Sequence, residues 1–241
     1  MAVGMTGLAK LRPDQHQRPM VLITRPEPGA SDTARRIEAL GLVPLLAPML
    51  RVRPLALRPA PGAQAVLVTS GNALPPLPAA LHGLPLLAVG DATAARARAA
   101  GFTNVCSADG DAAALAARTL PPRAPLLLAT GAGQGASLAA DLRGRGFAVH
   151  RRAVYAARPV HRLPAAALDA LAGQGLRAAL FLSADTARAF VRALPAALHR
   201  DLAGVDALAI GQPAADVLMH LPWRRVRVSA NPTLVSVMAL L

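Results

Sequence analysis

One pattern is written twice in this chain, and the repetition limits its fold more than any single motif does. Residues 126–155 read LLLATGAGQGASLAADLRGRGFAVHRRAVY. An apolar run ends in a turn holding Gly131, Gly133 and Gly135. Leu138 and Leu142 then recur at helical spacing, Gly146 marks a C-cap, and 147–155 is strand-like. Strand, glycine turn, helix and strand make a βαβ unit. Residues 21–50, VLITRPEPGASDTARRIEALGLVPLLAPML, repeat the same order of parts. Thr24 aligns with Thr130, Leu40-Gly41 with Arg145-Gly146, and Arg53-Pro54-Leu55 with Arg158-Pro159-Val160, at a nearly constant offset.

The remainder repeats as well. AVLVTSGNA (65–73) matches AALFLSADTA (178–187), LLAVGDATA (86–94) matches ALAIGQPAA (207–215), and SADGDAAALAARTL (107–120) matches SANPTLVSVMALL (229–241). Strands are expected at 21–24, 43–46, 65–69, 86–89, 126–129, 178–182, 208–210 and 226–228. Helices are expected at 30–40, 92–100, 112–120, 186–194 and 234–241, with one from Gly211 to His220, another directly after Thr69-Ser70-Gly71-Asn72, and an arginine-proline connector over 51–61. Strands alternating with helices of this length predict an α/β fold whose parallel sheets are covered on both faces. A half repeated once predicts two similar doubly wound domains.

Ligands of such sheets bind beyond the carboxyl ends of the strands. The residues shared between the halves fall at those ends: Thr24 and Thr130, Ser70 and Ser183, Gly90 and Gly211. Two such edges facing each other would enclose a cleft lined by hydroxyls, glycines and helix N-termini, a surface that favours anions.

Composition narrows the partners. Lys and Arg outnumber Asp and Glu by 26 to 13, a net charge of +13. Aromatic residues are only 2% of the chain, so the stacking platform of a single-strand nucleic-acid binder is missing. The basic residues are dispersed and, Lys10 apart, all arginine. A positive field then serves better to steer a small polyanion than to track a nucleic acid. The hydrophobic share of 54% is largely alanine, and the longest apolar candidate, around 74–89, is broken by prolines and His82, so no membrane span is expected. Residues 1–19 lack the apolar core of a secretory signal and read as a polar, disordered lead-in. The single cysteine, Cys106, excludes an internal disulfide. A cytoplasmic protein is expected.

Conventional catalytic sets are missing. Gly131-x-Gly133-x-x-Ala136 fits a dinucleotide fingerprint, but His150, Arg151 and Arg152 stand where its acidic residue belongs. The histidines show no metal-ligand spacing, no GxSxG elbow surrounds a serine, and no metal or cofactor is expected. Asp109 and Asp111 read as helix-capping turn residues rather than an acid–base pair. Tyr155, the only tyrosine, stands where the second βαβ unit meets its arginine-proline connector. It reads either as a half-buried sheet residue or as a phenol able to donate a proton beside the cleft.

The ordered set TRP (24–26), TSGNA (69–73), VGDATA (89–94), the glycine turn after LLLATG, VYAARPV (154–160), FLSADT (181–186), IGQPAA (210–215) and SANPT (229–233) resembles uroporphyrinogen-III synthase. The resemblance runs from Met20 to the C-terminus. It implies a monomeric, cofactor-free lyase with two flavodoxin-like domains, one formed by 20–48 with 161–241 and the other by 58–150. A two-stranded hinge over 49–57 and 151–160 would join them. The implied substrate is hydroxymethylbilane, a linear tetrapyrrole bearing eight carboxylates, cyclised with inversion of ring D and loss of water. Carried over by position, Tyr155 matches the tyrosine that assists departure of the hydroxyl. Thr24, Arg25, Thr69, Ser70, Gly71, Asn72, Gly90, Thr93, Gly131, Ser183, Ala184, Gly211 and Gln212 match carboxylate-binding positions. One departure stands out: Gln212-Pro213-Ala214-Ala215 replaces the glycine-proline-threonine-threonine loop that the family often carries. The residues themselves leave a second option, a two-lobed, non-enzymatic binder of small anions or nucleotides.

Overall fold

The computed structural model describes residues 18–108, 111–173 and 175–241. The expected lead-in, up to residue 17, and Asp109 lie outside the described residues. In chain order the regular elements are β1 (Met20–Ile23), α1 (Gly29–Ala39), β2 (Val43–Leu46), β3 (Leu50–Pro54), β4 (Ala65–Val68), β5 (Leu86–Ala88), α2 (Asp91–Ala99) and β6 (Val105–Ser107). Next come α3 (Ala112–Thr119), β7 (Pro125–Gly131), α4 (Ala136–Gly144), β8 (Ala148–Pro159), α5 (Ala165–Ala172) and β9 (Leu176–Phe181). The chain closes with α6 (Ala184–Ala193), β10 (Asp206–Ala209), α7 (Gln212–Leu218), β11 (Arg225–Val228) and α8 (Leu234–Met238).

These elements form an α/β protein of two sheet-containing units. One holds the chain up to Leu50 together with Pro159–Leu241, the other Arg51–Arg158. The first unit contains a five-stranded sheet in the order β11-β10-β9-β1-β2, whose recorded pairings are all parallel. Alternation along each strand divides its apolar residues between two cores. Leu22, Ala179, Phe181, Ala207 and Ala209 face one, with residues of α5, α6 and α7. Val21, Ile23, Ala178, Leu180 and Leu208 face the other, with Ala30 and Ile37 of α1 and Val237 of α8. Both faces are therefore covered, as a parallel sheet requires. Phe181 and Phe190 meet edge to face at 5.2 Å, and Trp223 packs against both.

The second unit contains a six-stranded sheet, β3-β8-β7-β4-β5-β6. Val66, Val68, Leu127 and Ala129 face a core with Ala94 and Ala97 of α2. Ala65, Leu67, Leu126 and Leu128 face α3 and α4 through Ala112, Ala116, Ala139 and Leu142. The leucine-rich run of β7 is buried on both sides, which explains why it shows no polar alternation.

The two orders make the repeat physical. β1 sits between β2 and β9, and β7 sits between β8 and β4. The two copies of the βαβ unit thus occupy the same place in their respective sheets. Yet β1 pairs with β9, from the far end of the chain, through Val21↔Ala178 to Ile23↔Leu180.

Several elements differ from the sequence-based expectation, the short strand β6 among them. No α-helix follows Asn72; short 3₁₀ turns at Gly71–Ala73 and Ala79–Leu81 stand there instead. Pro75, Pro76 and Pro78 remove the N–H donors that a longer helix needs. The connector over 51–61 begins as strand β3. Leu55 N–H donates to the Val154 carbonyl and Val160 N–H to that of Met49, so β3 and β8 run antiparallel. β3 is an edge strand, where proline is tolerated. Helix α5, opened by Pro164, is additional.

Candidate functional site

Tyr155 anchors the candidate site of the second unit. The parallel pairing of β7 and β8 runs in step from Pro125↔Ala148 to Thr130↔Ala153, then slips so that Gly131 faces Tyr155. Such a bulge re-aims the side chain that follows it. Val154 and Tyr155, adjacent in sequence, both enter the same core, and the tyrosine is only 4% exposed. Its ring fills the space over Gly131: a Cβ built there would lie 2.8 Å from Tyr155 Cζ. Only glycine fits that close approach.

The turn after Gly131 folds back over the phenol. Gly133 and Gly135 both hold φ of +77°, left-handed backbone that side chains disfavour. Ala132 N–H donates to the Tyr155 carbonyl at 2.8 Å, and Gln134 N–H donates to that of Gly131 at 3.0 Å. The Gln134 carbonyl accepts from Thr130 Oγ1 at 3.3 Å and from Arg151 Nη1 at 2.8 Å. Fixed in this way, the turn sets Gln134 Oε1 3.0 Å from the Tyr155 hydroxyl, which donates to it. Burial pushes the phenol above its ordinary value of 10.0, and a hydrogen bond with the Ser70 side chain partly offsets that rise. Tyr155 is a protonated phenol at neutral pH.

Other candidates of this unit gather at neighbouring strand ends. β4 pairs with β7 through Val68↔Ala129, so Thr69 and Ser70 emerge beside Thr130 and Gly131. Ser70 Oγ accepts from Asn72 N–H at 3.3 Å and caps the turn. Gly71 is buried under the Arg96 side chain, with Cδ 2.8 Å from where its Cβ would be. Gly90 caps α2, accepting the N–H of Thr93 at 3.0 Å, and both residues are half-buried.

The first unit repeats the arrangement without a tyrosine. Thr24 is fully buried and its hydroxyl donates to the Leu180 carbonyl at 2.6 Å, so it ties β1 to β9. The Arg25 guanidinium lies against Gly29 and donates to Thr33 Oγ1 at 3.4 Å. Ser183 caps α6 by accepting Thr186 N–H at 3.1 Å, with Ala184 half-buried beside it. Gly211 caps α7 in extended conformation, and exposed Gln212 donates through Nε2 to Asp216 Oδ1 at 2.7 Å. Thr24, Ser183 and Gly211 stand at the carboxyl ends of β1, β9 and β10, which are neighbours in the sheet. Among the described residues no group of three or more His, Cys, Asp or Glu could hold a metal ion, and no helix is long and apolar enough to cross a membrane.

The family model for uroporphyrinogen-III synthase HemD matches residues 31–239. The chain belongs to that family. The fold agrees: the uroporphyrinogen-III synthetase of Helicobacter pylori superposes with a TM-score of 0.61 at 19% identity, over 93% of this chain and 98% of that one. A mutant uroporphyrinogen III synthase of the extremely thermophilic bacterium Thermus thermophilus is 22% identical over 92% of this chain and 96% of its own, with a TM-score of 0.46. No curated protein sequence matches the chain.

Two residues packed at the candidate site escape the motif-based reading. Gln134 is the one polar side chain in the glycine turn GAGQG, which was a usable signal. Arg96 lies inside a helix with no motif of its own, and only the approach of α2 to Gly71 reveals it.

Proposed function

We propose that the protein is a uroporphyrinogen-III synthase, cyclising hydroxymethylbilane with inversion of ring D and loss of water. Its two sheets are taken as flavodoxin-like domains, since each places the second strand of its βαβ unit outermost, the first strand next, and the other three in sequence order, with β3 added at the edge of the second. The observation that carries the reading is the neutral phenol of Tyr155, held at the carboxyl edge of the second sheet in a chain of this family.

The chemistry asks little of side chains. An electron-rich pyrrole expels its hydroxyl once that oxygen receives a proton; the C–O bonding pair leaves with the oxygen, and water is released. Tyr155 is the donor in this reading, with Ser70 beside it. The azafulvene cation left behind is attacked by the substituted carbon of ring D. The resulting spiro intermediate fragments and recombines with the ring inverted, and loss of a ring proton restores aromaticity. The protein must chiefly hold the chain in the folded geometry that disfavours closure without inversion. Donors for the eight carboxylates come from backbone amides and hydroxyls at Thr69–Asn72, Gly90, Thr93 and Gly131 on one sheet. On the other they come from Arg25, Ser183, Ala184, Gly211 and Gln212. The net charge of +13 favours capture of such a polyanion.

The test is product composition. Adding purified protein to hydroxymethylbilane is expected to divert the spontaneous isomer I product to isomer III. An isomer ratio equal to the protein-free background refutes the assignment. In that case, saturable thermal stabilisation by NADP or inorganic phosphate would favour a binder of small anions.

A further inference from the structure

The glycine turn of β7–α4 has no assigned task in the proposed reaction beyond Gly131 itself. We infer that the turn is a clamp, and that Gln134 is the positioning residue for Tyr155, fixing the direction of the phenolic hydrogen through its side-chain carbonyl. The inference rests on Tyr155 being the proton donor proposed above.

Several independent contacts converge on Gln134. Its N–H and carbonyl are held by Gly131, Thr130 and Arg151, so the backbone of the turn has little freedom at this position. Gly131 lacks the Cβ that would otherwise strike Gln134 Oε1 at 2.6 Å and the Tyr155 ring at 2.8 Å. Gly133 and Gly135 supply the left-handed backbone that turns the chain back on itself. Gln134 is exposed whereas Tyr155 is buried, so the amide stands between the hydroxyl and solvent. An amide oxygen accepts only from the neutral phenol, so it stabilises the protonated form, the state a proton donor needs. It also selects one of the rotor positions a free hydroxyl would sample. In the reaction the leaving oxygen of the substrate takes over as acceptor from the Gln134 side-chain Oε1.

Tyr155 is the only tyrosine in the chain, so its ionisation can be followed directly by ultraviolet absorbance without substrate. Gln134→Ala removes the acceptor and admits water; the titration is expected to shift to lower pH than in the wild type. Gln134→Glu sets an anion beside the hydroxyl and is expected to shift it higher. In turnover, Gln134→Ala is expected to lower kcat about three- to tenfold with KM changed less than about twofold, the size of one lost hydrogen bond. Coincident titration of all three proteins overturns the clamp even where isomer III is formed. Shifted titrations with an unchanged kcat overturn the positioning role. A wild-type protein that makes no isomer III yet shows the ordered titrations overturns the reaction and leaves the clamp standing. Gln134 is exposed, and far-ultraviolet circular dichroism checks that both variants remain folded.

Discussion

The Thr24 hydroxyl donates to the Leu180 carbonyl at 2.6 Å, bridging residues 156 positions apart in the chain. It lies where the N-terminal βαβ unit joins the sheet built by the C-terminal part, and Thr24 is fully buried. Thr24→Val keeps the shape and removes the donor. The loss is expected to destabilise the first unit by about 1–3 kcal/mol, because a buried carbonyl loses its partner. Urea denaturation reads this directly, and an unchanged midpoint would show that the bond contributes nothing.

The glycines of the 131–135 turn separate crowding from backbone strain. At Gly131 a methyl meets Gln134 Oε1 at 2.6 Å and the tyrosine ring at 2.8 Å, so Gly131→Ala must displace both. At Gly133 nothing lies within 4 Å, and only the φ of +77° opposes a side chain. Gly133→Ala is expected to cost about 1–2 kcal/mol with turnover largely kept. Gly131→Ala is expected to lower turnover by at least about tenfold. Paired kinetics and denaturation check this; equal losses of turnover in the two variants would contradict it.

Tyr155 gives the fold an alkaline limit. Its folded-state value lies above the ordinary 10.0, so the folded chain keeps this proton at a pH where the unfolded chain has released it. The contribution is intact below the ordinary value and lost as pH rises through the folded value. Thermal melting of the wild type should therefore fall more steeply on the alkaline side of pH 10.0 than that of Tyr155→Phe. Parallel curves would mean that the phenol ionises as freely in the folded chain as in the unfolded one.

Asp206 sets the acid counterpart. Arg224 Nε and Nη2 donate to its two oxygens at 2.8 and 2.7 Å, and Arg225 Nε stands 3.6 Å away. The Arg224 hydrogen bond leads in holding the carboxyl below its ordinary 3.8, with the charges of Arg224, Arg225 and Arg227 adding to it. Stability from this group is present above pH 3.8 and drains away as pH falls through the folded value. Asp206→Asn should flatten the acid arm of the stability curve; an unchanged slope would show that Arg224 does not hold this carboxyl below its ordinary value.

Much of this architecture was legible in the residues. The repeat aligned Thr24 with Thr130, and both copies of the βαβ unit do occupy the same place in their sheets. Apolar runs such as LLLA located buried strands, because strands covered on both faces need no polar alternation. Less legible was the bulge after Thr130, which turns Tyr155 onto Gly131, because a slip in register leaves no mark in composition. The helix expected after Asn72 failed because the downstream prolines outweigh the match to the other half. Glycine spacing alone pointed to a dinucleotide, but the turn's contacts run to a tyrosine, and spacing cannot tell a phosphate from a phenol. Arg96 was out of reach, since its neighbour Gly71 lies on another element.

Whether Tyr155 is the proton donor of the proposed cyclisation can be read from a single time course. Hydroxymethylbilane is followed with wild type and with Tyr155→Phe at equal concentration, matched for folding, and the isomers are resolved. Isomer III is expected as the main wild-type product, with a rate of its formation at least about tenfold lower in the variant, in line with loss of a general acid. Wild-type protein that leaves isomer I as the product, or a variant as fast as the wild type, would contradict it.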